Sequence, residues 1–164
     1  CTGLYLRHPK IAPMKDSHIY DEHLSANISL IEERVAKHPE TTFYIFIPPY
    51  SMLWWDNVYR EGDTEFYLYA IEEAYNELTK YDNVKFYNFL GDREVITNLD
   101  SNYMDTLHFS PDINYYICEN LAQGNGLLSD ENIREEMEAM SLLAYEIPES
   151  LIKPYVEMIK ELIE

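Results

Sequence analysis

The chain has 164 residues, of which 46% are hydrophobic and 14% aromatic, so it can form one domain with a substantial core and is neither disordered nor fibrous. Its formal net charge is -18, from 30 acidic and 12 basic side chains. That charge would repel nucleic-acid phosphates and anionic lipid surfaces, so we expect no nucleic-acid partner and no membrane contact by this segment.

The cysteines and histidines do not form a metal-binding pattern. Cys1 and Cys118 are too few for a disulfide framework, and neither lies in the spacing of a zinc site. The histidines are scattered along the chain, so we expect no metal and no cofactor. Cys118 lies within an apolar helical pattern, and we expect it to be a small core residue. Because Cys1 stands where an initiator methionine is usual, we expect these residues to belong to a longer or processed polypeptide.

The first predicted element is a helix, which follows an irregular stretch over residues 1–20. Apolar residues at helical spacing predict this helix over residues 21–37, and Pro39 ends it. Its predicted buried stripe consists of Leu24, Ile28, Ile31 and Val35.

A strand, a helix and a second strand come next. The continuous apolar run 42–47 predicts a strand buried on both faces, and Pro48 stops it because proline cannot donate to a ladder. Residues 63–80 predict a second helix, and residues 84–89 predict a strand with alternating burial. Helices that alternate with strands indicate parallel units, so we expect an α/β fold.

The last third of the chain predicts helices. Ser110-Pro111 supplies an N-cap and a first-turn proline for a helix that ends near Gly124. Ser129 caps another helix. We therefore predict an α/β part over residues 1–123 and an appended helical pair over residues 124–164. The final helix carries its apolar face at Ile152, Val156, Ile159 and Ile163.

Two strands are too few for a stable parallel sheet. We expect the remaining strands to come from a missing N-terminal half of the polypeptide. The alternative is that a second copy of the chain completes the sheet. Either one is therefore a predicted partner of this segment.

The stretch from Tyr103 to Pro111 carries the strongest chemical signal. It sets Asp105 three residues before His108, after the second strand and before a helix. An aspartate can accept the hydrogen bond of one imidazole nitrogen, fix the tautomer and leave the other nitrogen as a general base. The alternative is that Asp105 caps a turn while His108 packs under the helix start. The position favours catalysis, because functional groups of open α/β sheets gather beyond the carboxyl ends of the strands.

The block Asp105–Pro111, Asp-Thr-Leu-His-Phe-Ser-Pro, resembles the last block of the SGNH/GDSL hydrolase superfamily. Residues 47–51 (Ile-Pro-Pro-Tyr-Ser), 54–56 (Trp-Trp-Asp) and 59–60 (Tyr-Arg) resemble SGNH-like proteins of bacterial cell envelopes. The resemblance covers roughly residues 22–123. It implies a flavodoxin-like three-layer parallel sheet, of which this chain is the C-terminal portion.

The same resemblance implies a function. Asp105 and His108 would be the acid and base of a Ser-His-Asp triad in an esterase or acyltransferase. Its substrates would be acyl esters, with carbohydrate esters as one candidate. The resemblance further implies an extracytoplasmic location, in the cell envelope or secreted.

No serine of this chain fits the nucleophile position of that family. Ser17 follows Asp16 as in the family's first block, but Lys15 replaces the glycine. A nucleophile elbow requires a strand directly before the serine, and no strand is predicted before Ser17. We expect the serine to lie in the missing N-terminal half and the isolated chain to be inactive.

The predicted loop over residues 48–60 is the second candidate site, because it follows the end of the first strand. Alternatively, its tryptophans cap the core or bury against the missing half. The alternative function is a non-catalytic carbohydrate- or protein-binding module that uses this loop. We expect Ser51 to be a turn residue rather than a nucleophile. The candidate substrate-binding residues, which could stack on sugar rings or pair with an anionic group, are Tyr50, Trp54, Trp55, Tyr59 and Arg60.

Overall fold

The computed structural model describes residues 11–154 and 156–157. Within these residues the chain is mixed α/β and mostly helical, with one parallel sheet of two strands. The predicted features at Cys1, Ile159 and Ile163 lie outside the described residues. In chain order the elements are α1 (Asp21–Lys37), β1 (Phe43–Ile47), α2 (Met52–Glu61), α3 (Thr64–Leu78), β2 (Val84–Asn88), α4 (Arg93–Thr97), α5 (Leu99–Asn102), α6 (Pro111–Gln123), α7 (Ile133–Glu146) and a π-helix (Ile147–Ile152).

The first helix has the bounds that its apolar spacing predicts, residues 21–37. Ile28 and Val35 are buried, and Ile28 packs with Leu78 and Phe86. The predicted stripe is wrong at Ile31, which is 39% exposed. Val35 follows Ile28 by seven residues, about two turns, and so lies within about 20° of it around the helix axis. Ile31 follows Ile28 by three residues and lies about 60° away. The helix therefore buries a narrower stripe than its sequence suggests.

The two strands pair in parallel, as the intervening helix predicts. Phe43 lies opposite Val84, and Ile47 lies opposite Asn88. Residues 126–128 cover the outer edge of β2 through backbone hydrogen bonds. Within the described residues β1 pairs with β2 alone, so the other edge of β1 has no strand beside it there.

The prediction that β1 is buried on both faces is wrong. Ile45 and Ile47 pack into the core on one face of the sheet. On the opposite face Tyr44 is 48% exposed and Phe46 is 37% exposed. Helix α6 packs on that second face, where Ile113 lies in one cluster with Tyr87 of β2 and with Phe89, the residue after the strand. The burial of an apolar strand depends on which elements cover its two faces. The apolar sequence of the strand does not show which elements those are.

The second strand is more buried than predicted, because the expected alternation of buried and exposed residues is absent. Phe86, Tyr87 and Asn88 are all buried. Phe86 packs in the cluster with Leu78 of α3, while Tyr87 packs in the cluster with Ile117 of α6. Helices on both faces therefore bury consecutive residues of β2.

Helix α6 begins at Pro111 and ends where Gly124 adopts a left-handed φ of 78°, as predicted. Its buried residues are Ile113 and Ile117, which lie one turn apart. Cys118 is exposed, so its predicted place in the core is wrong. The residue lies next to the buried stripe in sequence but points about 100° away from Ile117 around the helix.

The C-terminal helices share a core with the α/β part. Met140 and Ala144 of α7 and Ile147 and Ile152 of the π-helix lie in one cluster with residues of α2 and α3. The predicted boundary after residue 123 therefore does not separate two hydrophobic cores. Helix α7 starts at Ile133 rather than directly after Ser129. No helix within the described ranges has the length and apolar character needed to cross a membrane.

Residues 52–61 form helix α2, so the predicted loop over residues 48–60 is helical in its larger part. Gly62 ends the helix with a left-handed φ of 76°. The segment that contains Lys15 packs against this end of the helix, where the Lys15 backbone N–H donates to the Gly62 carbonyl oxygen over 2.8 Å. The sequence signal for a helix was present in Ser51, which is a favoured residue at a helix start.

Candidate active site

The Asp105–His108 pair lies in a tight turn between α5 and α6. Tyr103 and Phe109 face each other across an antiparallel bridge at the base of this turn. The backbone N–H of Met104 donates to the carbonyl oxygen of His108 over 2.8 Å. These bonds close the turn independently of any side chain.

The Asp105 carboxylate organises the interior of the turn. Its Oδ1 accepts the backbone N–H of Leu107 at 2.8 Å and that of His108 at 2.7 Å. Its Oδ2 lies 2.7 Å from Nδ1 of the His108 ring. One carboxylate therefore fixes both the backbone and the side chain of the histidine.

The charge of Asp105 determines which ring nitrogen carries the proton. The backbone N–H groups of His108 and Leu107, followed by the His108 ring, lower the pKa of Asp105 to about 2. The carboxylate is therefore ionised at neutral pH and can only accept hydrogen bonds. It follows that Nδ1 of His108 is the donor in the neutral ring, and the lone pair is on Nε2.

The imidazole faces solvent. The His108 side chain is 77% exposed, and that of Asp105 is 48% exposed. The alternative in which His108 packs under the helix start is therefore wrong. The alternative for Asp105, that it caps a turn, is correct in part, because its carboxylate caps the turn and also holds the His108 ring.

A second carboxylate–imidazole pair provides a useful comparison. Nδ1 of His18 lies 3.1 Å from Oδ2 of Asp21, and both side chains are also exposed. Such a contact is therefore insufficient to identify a catalytic pair. The pair at Asp105 and His108 differs by its shorter contact and by the two backbone N–H groups on its carboxylate.

The turn is attached to the segment that follows β1. The Ser51 hydroxyl donates to the Thr106 carbonyl oxygen at 2.9 Å. The Tyr103 hydroxyl donates to the Pro49 carbonyl oxygen at 2.7 Å. These contacts place the candidate pair beside the carboxyl end of β1. Sequence reasoning missed both attachments, although Ser51 lies two residues after the second of the prolines that end the strand.

The predicted substrate-binding residues have different surroundings. Trp55 is fully buried in the core and cannot contact a substrate, so its inclusion in this set is wrong. Tyr50 and Trp54 are partly exposed, and their ring centroids lie 5.3 Å apart. Trp54 also packs edge-to-face on Tyr67 at 5.0 Å. Tyr50 and Trp54 therefore form a supported aromatic pair with some surface open to solvent.

Tyr59 and Arg60 are occupied by protein contacts. The Tyr59 ring packs edge-to-face against Tyr145 at a centroid distance of 6.0 Å. Nε of Arg60 donates to Oδ2 of the buried Asp56 at 2.6 Å. This ion pair joins two successive turns of helix α2. The Arg60 side chain is only 19% exposed, so little of its guanidinium group is accessible to a substrate.

The nucleophile is not found among the described residues. No serine hydroxyl in residues 11–154 hydrogen-bonds to the His108 ring, and Ser17 lies in a turn rather than after a strand. The described residues contain no group of three side chains suited to hold a metal ion. No family model, curated protein or solved structure matches this chain.

Proposed function

We propose that Asp105 and His108 are the acid and base of a serine esterase or acyltransferase of the SGNH type. The observation that carries this proposal is the 2.7 Å contact between the Asp105 carboxylate and Nδ1 of an imidazole that is exposed to solvent. This arrangement holds Nε2 as a proton acceptor at a point where a substrate can reach it. The proposed substrates are acyl esters, with carbohydrate esters as one candidate class.

The mechanism uses each atom of the pair. Nε2 of His108 accepts the proton of a serine hydroxyl as that oxygen forms a bond to the ester carbonyl carbon. Asp105 stabilises the resulting imidazolium while remaining ionised. The imidazolium then gives its proton to the departing alcohol, which leaves an acyl-serine. Water completes hydrolysis, or an acceptor alcohol completes acyl transfer, by the same proton movements in the second half-reaction.

The proposal requires a serine from outside the described residues. We place it in an N-terminal half that completes a flavodoxin-like three-layer sheet. Two observations support continuation of the sheet past β1: no described strand pairs with its outer edge, and Tyr44 and Phe46 are exposed on one face. A second copy is the alternative partner, but two chains of net charge -18 repel each other.

The proposed substrate class and location depend on the family resemblance and on one structural feature. Tyr50 and Trp54 offer partly exposed aromatic surface, which is suited to stacking on sugar rings. They follow β1 in the segment to which the catalytic turn is attached. An enzyme acting on envelope carbohydrate esters would work outside the cytoplasm, and we propose that location.

Ester turnover tests the proposed function. A polypeptide that includes the proposed N-terminal half is assayed with p-nitrophenyl acetate, alongside His108→Ala and Asp105→Asn. We expect His108→Ala to lower kcat/KM by roughly 10²- to 10⁴-fold, the usual contribution of a general base. His18→Ala is the matched control, because it removes an exposed histidine that also contacts an aspartate. Full activity in His108→Ala would overturn the proposal.

A binding module is the second candidate function, and the partly exposed pair of Tyr50 and Trp54 favours it. In that case Asp105 and His108 only stabilise the turn. Glycan binding that is lost in Trp54→Ala and retained in His108→Ala, without ester turnover by the wild type, would support this function. Ester turnover that depends on His108 would contradict it.

A further inference from the structure

We infer that Ser51 and Tyr103 are positioning residues that hold the Asp105–His108 turn in place against the end of β1. The inference rests on the proposed function, because it assigns these hydroxyls a role in placing the base. Neither side chain contacts the imidazole in the described structure; each acts through a backbone carbonyl oxygen.

Ser51 stands where a helix cap is expected but does not act as one. It precedes α2 with extended backbone angles, φ -65° and ψ 162°, and its side chain makes no capping hydrogen bond. The hydroxyl instead donates to the carbonyl oxygen of Thr106, which lies between Asp105 and Leu107 at the tip of the turn. Ser51 is fully buried, so its end of this bond is shielded from water. Its backbone N–H also donates to the same carbonyl oxygen over a longer distance of 3.4 Å.

Tyr103 attaches the base of the same turn. Its hydroxyl donates to the Pro49 carbonyl oxygen at 2.7 Å. Burial, together with the nearby Asp92 carboxylate, raises the pKa of Tyr103 well above its ordinary value. The phenol therefore stays protonated and remains a donor at neutral pH.

Two attachments at separate points restrain the turn more than one does. The bonds from Ser51 hold the tip of the turn against the segment that follows β1, and the bond from Tyr103 holds its base. The contacts of Asp105 with His108 are internal to the turn and do not depend on either attachment. Loss of Ser51 or Tyr103 should therefore displace the pair as a unit without changing the tautomer of the ring.

This separation gives a test on the 164-residue chain itself. Ser51→Ala and Tyr103→Phe each remove one hydroxyl, and ¹⁵N relaxation reports the motion of the Thr106 and Leu107 backbone amides. We expect order parameters near 0.85 in the wild type to fall in each variant towards the value of about 0.6 that marks a flexible backbone. The fall should be partial, because the backbone bonds that close the turn remain. The Nδ1–H tautomer of His108 should persist in both variants.

Matched controls separate positioning from a general loss of stability. Thr79→Val removes a hydroxyl that donates to the Tyr75 carbonyl oxygen at 2.8 Å, far from the turn. Tyr75→Phe removes a phenol that donates to Asp130 at 2.9 Å. We expect these variants to leave the order parameters of the turn unchanged at equal destabilisation. Unchanged order parameters in both Ser51→Ala and Tyr103→Phe would overturn the inference.

Kinetics adds a second readout in a polypeptide with ester turnover. Displacing a base lowers the rate of the chemical step, so we expect kcat to fall roughly 10-fold or more in Ser51→Ala and Tyr103→Phe, with KM nearly constant. Normal kcat in both variants would overturn the inference while the proposed function stands. If the wild type lacks turnover, the proposed function fails, and the relaxation result still decides whether the two hydroxyls hold the turn.

Discussion

Asp105 contacts His108 twice, through the ring at 2.7 Å and through the backbone N–H at 2.7 Å. The two contacts use different oxygens of one carboxylate. The residue that orients the imidazole therefore also shapes the turn that carries it. In the contact between His18 and Asp21, by comparison, the carboxylate meets the ring, while the backbone N–H of His18 donates to Asp16.

The ionised form of Asp105 should stabilise the fold in a defined pH range. Its pKa is lowered to about 2 in the folded protein, below the value of roughly 3.9 for an unfolded chain. The stabilisation is therefore complete above about pH 4 and is lost as the pH falls towards 2. Urea unfolding should show wild type more stable than Asp105→Asn at pH 7, with the difference shrinking below pH 4.

The control for this prediction is His108→Ala. The largest causes of the lowered pKa are backbone N–H groups, which this variant keeps. Carboxyl ¹³C titration should therefore show the pKa of Asp105 still below its ordinary value in His108→Ala. A return to the ordinary value would mean that the ring, rather than the turn backbone, holds the carboxylate.

A glycine that is required sterically lies at the end of α2. A Cβ atom on Gly62 would lie 2.3 Å from the Pro13 carbonyl oxygen, and the φ of 76° already disfavours other residues. Gly124→Ala is the matched control, since its φ is 78° but nothing lies within 4 Å of the added atom. We expect Gly124→Ala to cost about 1 kcal/mol and Gly62→Ala clearly more, in urea unfolding. Equal losses would show that the segment at Pro13 does not pack here.

The two tryptophans of α2 should differ in their effect on stability. Trp55 is fully buried among core side chains, whereas Trp54 is only partly buried. Trp55→Ala should therefore lower the free energy of unfolding by about 3–5 kcal/mol, as for other large core residues. Trp54→Ala should cost less and leave the fold intact for binding assays. A larger loss in Trp54→Ala would contradict the assigned packing.

The outer edge of β1 should be visible in amide hydrogen exchange. Phe43 and Ile47 direct their backbone groups towards β2 and the residues that flank it. The Phe43 N–H donates to the Asn83 carbonyl oxygen, and the Ile47 carbonyl oxygen accepts the Phe89 N–H. Alternate residues of a strand point to the other edge. In the isolated chain the amides of Tyr44 and Phe46 should therefore exchange faster than those of their odd-numbered neighbours.

The same measurement identifies what completes the sheet. Addition of the proposed N-terminal half should protect the amides of Tyr44 and Phe46 and slow their exchange. Protection that is already present in a dilute, monomeric sample of the isolated chain would contradict an uncovered edge. Protection that appears only as the chain concentration rises would indicate a second copy instead.

Local patterns predicted those parts of the fold that local chemistry determines. The bounds of α1 follow from apolar spacing and Pro39, and the end of α6 follows from Gly124. The exposure of Tyr44 and Cys118 depends on which elements pack over them, and a single sequence does not encode that in any local pattern.

The candidate site divides in the same way. The pairing of Asp105 with His108 is a contact over three residues, so the sequence predicts it. The attachments from Ser51 and Tyr103 end on backbone carbonyl oxygens more than fifty positions away, and every residue carries such an oxygen. No residue type marks the acceptor, which is why these contacts appear only in the structure.

The protonation state of the His108 ring tests the central claim most directly. Nitrogen-15 NMR of the imidazole distinguishes Nδ1–H from Nε2–H in the neutral ring, in wild type and in Asp105→Asn. The structure predicts that Nδ1–H dominates in the wild type, and that this preference is lost in the variant, since a carboxamide can also donate to Nδ1. A wild-type ring protonated mainly on Nε2, and unaffected by Asp105→Asn, would contradict the assignment of His108 as a base oriented by Asp105.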